Sequence, residues 1–310
     1  EEQRFNKIVY ICRMKLTTKF NHSIIFCLLL LSFYSCTKEP ISDTNNTNGT
    51  SNLTEITLTN VTYGGHSKQV YDVYLPAKRD SNTPVILMIH GGAWKAGQKE
   101  DFSSYLNVLK NKWKDVAIVN MNYRLASNAN NIHHNDIMAD INAVVTDVLA
   151  KKDTYHISSN MGIMGASAGG QLAMIYAYKY NNSKNIKCVG NIFGPSIIND
   201  WTWYNSVNLW LGAYTGDILT EYVGQSWDAV AYKEVSPYWN VNSTSQPTII
   251  FHGNLDPIVP VYQSQRMNGK LNTLGVPNQY YEYIAFHSFD DTQSDDVLTK
   301  LVAFFKVYLK

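Results

Sequence analysis

From about residue 53 onward the chain alternates between two spacings of apolar residues. Short apolar runs occupy Glu55–Tyr63, Val70–Leu75, Pro84–His90, Val116–Tyr123, Met161–Met164, Ile186–Phe193, Thr248–His252 and Gln279–Ala285, and their length and content predict strands. Between the later runs, apolar residues recur three and four apart over Phe102–Trp113, Asn135–Lys151, Ala168–Tyr180, Val261–Leu274 and Asp291–Leu309, the period of helices with one buried face. Two early strands followed by alternating strand and helix predict an α/β fold. Its antiparallel edge leads into a mostly parallel central sheet with helices on both faces. No internal repeat is visible.

One stretch breaks the alternation. Ile197 to Val235 carries Trp201, Trp203, Trp210, Trp227 and several tyrosines among polar residues. An insertion between a strand end and the next element is where α/β proteins build binding loops, so a small aromatic-rich cap is expected at about 197–235. Trp94, Trp201, Trp203 and Trp210 are its candidate substrate-binding residues. The alternative is that these rings only stitch a helical excursion to the core.

Upstream the pattern changes. The first methionine, Met14, is followed by Lys15, Lys19 and the apolar run Ile24–Leu31. A basic segment, a short apolar one and small residues make a secretory signal, too short to span a membrane comfortably, with Met14 as its expected start. Ser32-Phe33-Tyr34-Ser35-Cys36 resembles a bacterial lipobox, with Phe33 where Leu is usual. That resemblance implies lipidation of Cys36 and an exported, membrane-anchored protein facing the periplasm or the cell surface. Residues 1–36 are then upstream sequence and signal, 37–54 a polar flexible tether, and 55–310 the catalytic domain. A conventionally cleaved secreted protein and a buried N-terminal helix are the alternatives.

Charge narrows the partners. Lys plus Arg number 26 against 25 for Asp plus Glu, so the formal charge of +1 sets up no field that would gather nucleic acid or an anionic membrane. A small molecule or neutral polymer is the better partner, and 21 Tyr with 7 Trp suit carbohydrate or aryl ligands as well as a filled core. Of the four cysteines, Cys12 and Cys27 fall in the removed segment and Cys36 is acylated, which leaves Cys188 on an apolar strand and no structural disulfide.

The chemistry begins at Gly165-Ala166-Ser167-Ala168-Gly169, a GxSxG between a predicted strand and a predicted helix. A strand that turns at once into a helix needs small neighbours two residues either side, and Ser167 is the expected nucleophile. A serine hydroxyl needs a base, and the base an orienting carboxylate. Asp256 follows the strand ending at His252, and His287 follows the last strand, so Ser167, Asp256 and His287 all stand after strand ends on one edge of the sheet. Asp290 and Asp291 follow His287 too closely to sit behind its ring easily. His90-Gly91-Gly92-Ala93-Trp94 follows another strand, and Gly91 or Gly92 with the amide of Ala168 is a candidate oxyanion hole. His90 is expected to hold that loop. His133, His134, Asp136 and Asp140 lack an established metal-ligand spacing and read as a capped helix start, with Asn135 or Asp136 near the cap, and Arg124 as a partner for Asp140. No metal or organic cofactor is implied.

HGGAW at 90–94, NYRL at 122–125, GASAGGQLA at 165–173, Ser236-Pro237 and HGNLDPIVP at 252–260 resemble the carboxylesterase branch of the α/β-hydrolases, nearest the bacterial feruloyl and acetyl xylan esterase group and also similar to hormone-sensitive-lipase-like esterases. The likeness runs from about Val70 to the C-terminus. It implies Ser167 as nucleophile, Asp256 as acid, His287 as base, and Gly91, Gly92 and Ala168 as oxyanion donors. Ala93 stands where a third Gly is common, and Phe286 where Gly is frequent. The implied activity is a serine carboxylesterase acting on acetyl or feruloyl esters of plant polysaccharides, its partners an acylated oligosaccharide and, through the anchor only, a membrane. The alternatives are a general short-chain esterase or lipase, an arylformamidase-like amidase, and a non-catalytic glycan-binding surface lipoprotein.

Overall fold

The computed structural model describes residues 53–310, so the signal segment, Cys36 and nearly all of the tether lie outside the described residues. Among the described residues no helix is long and apolar enough to cross a membrane.

Among the described residues eight strands form one sheet: β1 (Ile56–Thr62), β2 (Val70–Leu75), β3 (Val85–Ile89), β4 (Ala117–Met121), β5 (Met161–Ala166), β6 (Ile186–Ile192), β9 (Thr248–Gly253) and β10 (Asn278–Tyr283), in the order β1-β2-β4-β3-β5-β6-β9-β10. The pairings β1·β2 and β2·β4 are antiparallel and all the others parallel, as the alternation of elements predicts. Strands β7 (Val207–Asn208) and β8 (Ala213–Tyr214) make a separate small hairpin.

Every residue of β3, β4 and β5 is buried, because both faces of the sheet are covered. Along β3 the period of two sends Val85, Leu87 and Ile89 into one core layer and Ile86 and Met88 into the other. The first layer takes Ile137, Ile141 and Val145 of α2 (His134–Ala150) and Leu172 of α3 (Ala168–Ile175); the second takes Leu109 of α1 (Ser103–Lys112) and Val297, Leu301 and Phe305 of α6 (Asp291–Tyr308). A Cβ on Gly162 would stand 2.5 Å from the Phe305 ring, so its absence lets α6 lie close on the sheet.

Two helices differ from their sequence pattern. The predicted Ala168–Tyr180 helix ends at Ile175 and continues as a wider π turn, Tyr176–Tyr180. The predicted Phe102–Trp113 helix is preceded by a 3-10 turn, Lys99–Phe102, in which the buried Lys99 ammonium meets Asp72 and Glu100.

The insertion leaves after β6 and returns before β9, which are neighbours in the sheet. It contains two short helices, Trp201–Tyr204 and Ala229–Glu234, the β7–β8 hairpin, and α4 (Thr215–Val223). Its two ends are tied together by the Ser236 hydroxyl, which accepts from the backbone of Ile198 and Asn199. Beyond it, α5 (Tyr262–Leu274) packs between β9 and β10.

Candidate active site

The turn between β5 and α3 is a single residue, Ser167. Ser167 sits at φ 55° and ψ −126°, a conformation L-residues avoid and hold only where the surroundings impose it, at a cost of about 1–3 kcal/mol. What imposes it is contact on both sides. A Cβ on Gly165 would fall 2.3 Å from the Gly169 backbone, and one on Gly169 would fall 2.1 Å from the Ile89 carbonyl oxygen. Strand and helix therefore approach to a distance only glycine allows, and Ser167 is levered out at the end of the sheet.

His287 Nε2 lies 2.8 Å from Ser167 Oγ, and His287 Nδ1 lies 2.6 Å from Asp256 Oδ2. The Asp256 turn holds its own carboxylate: Oδ1 accepts from the amides of Ile258 (2.8 Å) and Val259 (3.0 Å). The His287 loop is laced to that turn, since the Leu255 amide donates to the Ala285 carbonyl and the Asn254 amide to that of Tyr283. Gly253 makes this possible, for a Cβ there would stand 2.3 Å from the Phe286 carbonyl oxygen. The Phe193 ring lies against the imidazole, centroids 4.6 Å apart. Burial pushes the Asp256 carboxyl up, but hydrogen bonds from His252 and His287 outweigh it and hold the group well below the usual carboxylate range. Asp290 is instead the N-cap of α6, accepting from the Gln293 amide.

Asp256 also has a partner that the sequence pattern did not single out. His252, fully buried at the end of β9, directs Nε2 at Asp256 Oδ2 (3.1 Å) and the Val259 carbonyl (2.9 Å), and Nδ1 at the Ser264 hydroxyl (2.6 Å). A histidine four residues before the acid was the only signal of it.

A small cavity opens at Ser167, lined mainly by apolar side chains: Trp94, Trp203, Leu211, Ile218, Leu219 and Ile258, with Ala93 and Ala168 beside the serine. Ala168 opens α3, and a first helical residue has no intrahelical acceptor for its amide. Gly91 packs beneath the nucleophile, where a Cβ would meet the Ala166 carbonyl at 2.9 Å and Ser167 Cβ at 3.1 Å. Gly92 (φ 111°) turns the loop, and Ala93 (φ 51°) is the residue of it that reaches the cavity wall. His90 lies buried under the loop, Nδ1 2.7 Å from the Gly91 carbonyl and its ring stacked on Tyr123; burial pulls its pKa down to about 4.

The four candidate tryptophans separate. Trp94 forms cavity wall, its indole N–H donating to Gln171 and its ring stacked on Tyr222. Trp203 forms roof and donates to the Ile258 carbonyl. Trp210, 52% exposed at the tip of the β7–β8 hairpin, faces the equally exposed Phe286 at 6.0 Å between centroids. Trp201 is not in the cavity wall: it is 57% exposed, stacked on Tyr204 and edge-on to Trp227. Part of the insertion thus roofs the cavity, and part packs on itself.

The His133–Asp140 segment is occupied structurally. The helix start is capped as expected: His133 is the N-cap of α2, Asn135 and Asp136 lie in its first turn, and Asp136 accepts from the His133 amide. The His134 ring lies within hydrogen-bond distance of the Tyr222 and Tyr180 hydroxyls, and burial takes its pKa down to about 3. Asp140 is paired with Arg124. Among the described residues no group of three or more His, Cys, Asp and Glu side chains is arranged to hold a metal ion. Cys188 is buried, which raises its thiol pKa well above the ordinary value.

The family model described as BD-FAE matches residues 71–271. Kynurenine formamidase from Salmo salar is 31% identical over 117 residues, 38% of this chain and 37% of that protein. Esterase LipC from Mycobacterium tuberculosis is 23% identical over 252 residues, 74% of this chain and 59% of that protein. The chain thus spans about a third of the first of these relatives and under two thirds of the second. Among solved structures, a truncated carbohydrate esterase from gut microbiota superposes with a TM-score of 0.66 at 19% identity, covering 83% of this chain and 98% of that one. The likeness establishes the α/β-hydrolase fold.

Proposed function

We propose, from the premise that the chain belongs to the BD-FAE family, that it is a serine carboxylesterase working through an acyl-enzyme on acetyl or feruloyl esters of plant polysaccharides. The observation that carries this reading is the unbroken hydrogen-bonded line from Ser167 through His287 to Asp256 at the mouth of an apolar cavity.

In this reading Ser167 Oγ attacks the ester carbonyl carbon while its proton passes to His287 Nε2. The carbonyl electron pair moves onto oxygen, which is held by the Ala168 amide and amides of the Gly91–Ala93 loop. Collapse breaks the bond to the alcohol, and the leaving alkoxide takes the proton from His287. Water, deprotonated by His287, then attacks the acyl-enzyme and releases the acid and Ser167. Asp256 stabilises the imidazolium in both halves without accepting its proton.

The cavity supports an acyl group of limited size, and its apolar wall suits a methyl or aryl group better than a charged one. Trp210 and Phe286 support a sugar-bearing alcohol, because they form an exposed aromatic pair one residue from His287, and such amphipathic rings suit a ligand that is part apolar and part wet. A carbohydrate esterase is among the structures of this fold. The formamidase relative makes an aryl formamide the sensible competing substrate. For location, the lipobox-like ending at Cys36 supports an exported protein held to a membrane by its lipidated N-terminus.

A hydrolysis panel on the 40–310 chain tests the reading: 4-nitrophenyl acetate, longer-chain esters, methyl ferulate, acetylated xylan and an N-formyl aryl amine, with Ser167→Ala as blank. Ferulate or xylan acetate should turn over faster than simple esters, and Ser167→Ala should be silent while still folded. Preference for long acyl chains or for the formamide would replace the substrate assignment, and near-normal turnover by Ser167→Ala would remove the mechanism. In the whole chain, Cys36→Ser should move the protein from the membrane fraction to the soluble one.

A further inference from the structure

We propose that His252 is a positioning residue for this reaction: pinned between Ser264 and Val259, it keeps one N–H on Asp256 Oδ2 and thereby sets how strongly that carboxylate draws on His287. The proposal rests on the triad reading above and adds a second histidine to it.

The protonation pattern follows from the partners. His252 Nε2 faces two acceptors, Asp256 Oδ2 and the Val259 carbonyl, so it carries a proton shared between them. Nδ1, 2.6 Å from the Ser264 hydroxyl, is then the acceptor for that hydroxyl's proton. The ring cannot turn without losing three contacts, and with no exposed surface it has no water to replace them. Asp256 is saturated in the same way, with two backbone amides on Oδ1 and two imidazoles on Oδ2.

Two imidazoles therefore compete for one oxygen. Hydrogen bonding to the charged form of a carboxylate stabilises its charge and weakens its pull on any other donor. Removing the His252 N–H leaves more of the Oδ2 charge for His287, which then holds its own proton more tightly and becomes a free base only at higher pH. The other charged groups near this corner are engaged elsewhere. Glu282, beside His252 in register on β10, bonds Gln265 and Tyr280 at the surface, and Asp290 caps α6.

The test compares the parent chain with His252→Phe, which removes the donor, His252→Gln, whose amide restores one, and Ser264→Ala, which frees Nδ1. Two readouts are taken across pH 4 to 9: the acid limb of kcat/KM for 4-nitrophenyl acetate, and the downfield proton resonance of the His287–Asp256 hydrogen bond. The expected result is an upward movement of both midpoints by about one pH unit in His252→Phe, with kcat down about tenfold and KM little changed. His252→Gln should return most of the way, and Ser264→Ala should move by less in the same direction. Midpoints that coincide with the parent in the folded variants would overturn the proposal, whatever happens to kcat, since a purely structural role changes the amount of working enzyme and not its titration. Should His252→Phe fail to fold, Ser264→Ala decides. Should the parent hydrolyse no ester, the esterase reading falls, and the resonance midpoints still decide the role of His252.

Discussion

Replacing Asp256 by Asn changes one oxygen into an NH2 group, and the structure dictates which one. Oδ1 accepts from the amides of Ile258 and Val259, so the carboxamide oxygen must stay there. The NH2 then occupies the Oδ2 position, 2.6 Å from His287 Nδ1 and 3.1 Å from His252 Nε2, donor against donor in both directions. His287 relieves the clash by moving its proton to Nε2, where it points at Ser167 Oγ 2.8 Å away. A base that already carries a proton at that atom cannot take one from serine. The expected loss in kcat is about 10⁴-fold, the size found when a triad carboxylate elsewhere becomes an amide, equivalent to about 5 kcal/mol of barrier. The assay is steady-state hydrolysis of 4-nitrophenyl acetate at pH 7, with circular dichroism to show the fold is kept and the rate of fluorophosphonate labelling as a second measure of serine activation. A folded variant within about tenfold of the parent would refute the claim that Asp256 sets the tautomer of His287.

Stability should fall in acid because His90 and His134 are neutral when folded, with pKa values pulled down by burial to about 4 and about 3. The unfolded chain takes a proton on each near pH 6.5 and the folded chain does not, so stability is full above that pH and declines below it, by on the order of 1 kcal/mol per pH unit per histidine. Urea midpoints at pH 7 and pH 5 measure the decline; His134→Gln, whose amide meets both tyrosine hydroxyls, should shrink it, and an unchanged difference would count against the assignment. Gly169→Ala places a Cβ 2.1 Å from the Ile89 carbonyl oxygen and 2.5 Å from that of His90. Because both obstacles are backbone, α3 must back away, and the expected cost is about 2–3 kcal/mol with esterase turnover reduced far more than the melting temperature suggests; unimpaired turnover would mean the elbow tolerates slack.

The strands and the site edge were legible because they rest on local rules. Continuous apolar runs such as Val85–Ile89 and Ala117–Met121 have few readings other than a strand buried on both faces, and GxSxG has chemical meaning once strand and helix flank it. What escaped the sequence depends on partners distant along the chain. Nothing in Thr248–His252 tells that its last residue shares an acceptor with a histidine 35 positions away. Ala93 reaches the cavity wall through the twist that Gly92 gives the loop, and a count of glycines cannot show that. His133 caps α2 although asparagine and aspartate are the usual caps; its amide donates to Asp136 three residues on, and its ring is held at the Glu221 carbonyl across the fold. Trp201 and Trp203 are two residues apart and alike in sequence, yet one forms roof and the other faces solvent, a difference made by helix phase.

The Ser236 hydroxyl that ties the two ends of the insertion together leaves the exposed part of the roof free to vary. Its exit and entry lie beside each other, fixed by Ile198 and Asn199 on one side and the neighbouring strands β6 and β9 on the other. Lengthening its exposed part around the β7–β8 hairpin alters only a closed loop, whose entropic cost grows slowly with length, whereas Tyr222 and Trp203 bind the rest to Trp94, Gln171 and Ile258. Nucleophile, base and acid all stand outside that loop. A lineage can therefore vary what reaches the cavity mouth by rewriting the exposed hairpin around Trp210, while the buried half of the roof keeps its hold on the residues beneath it.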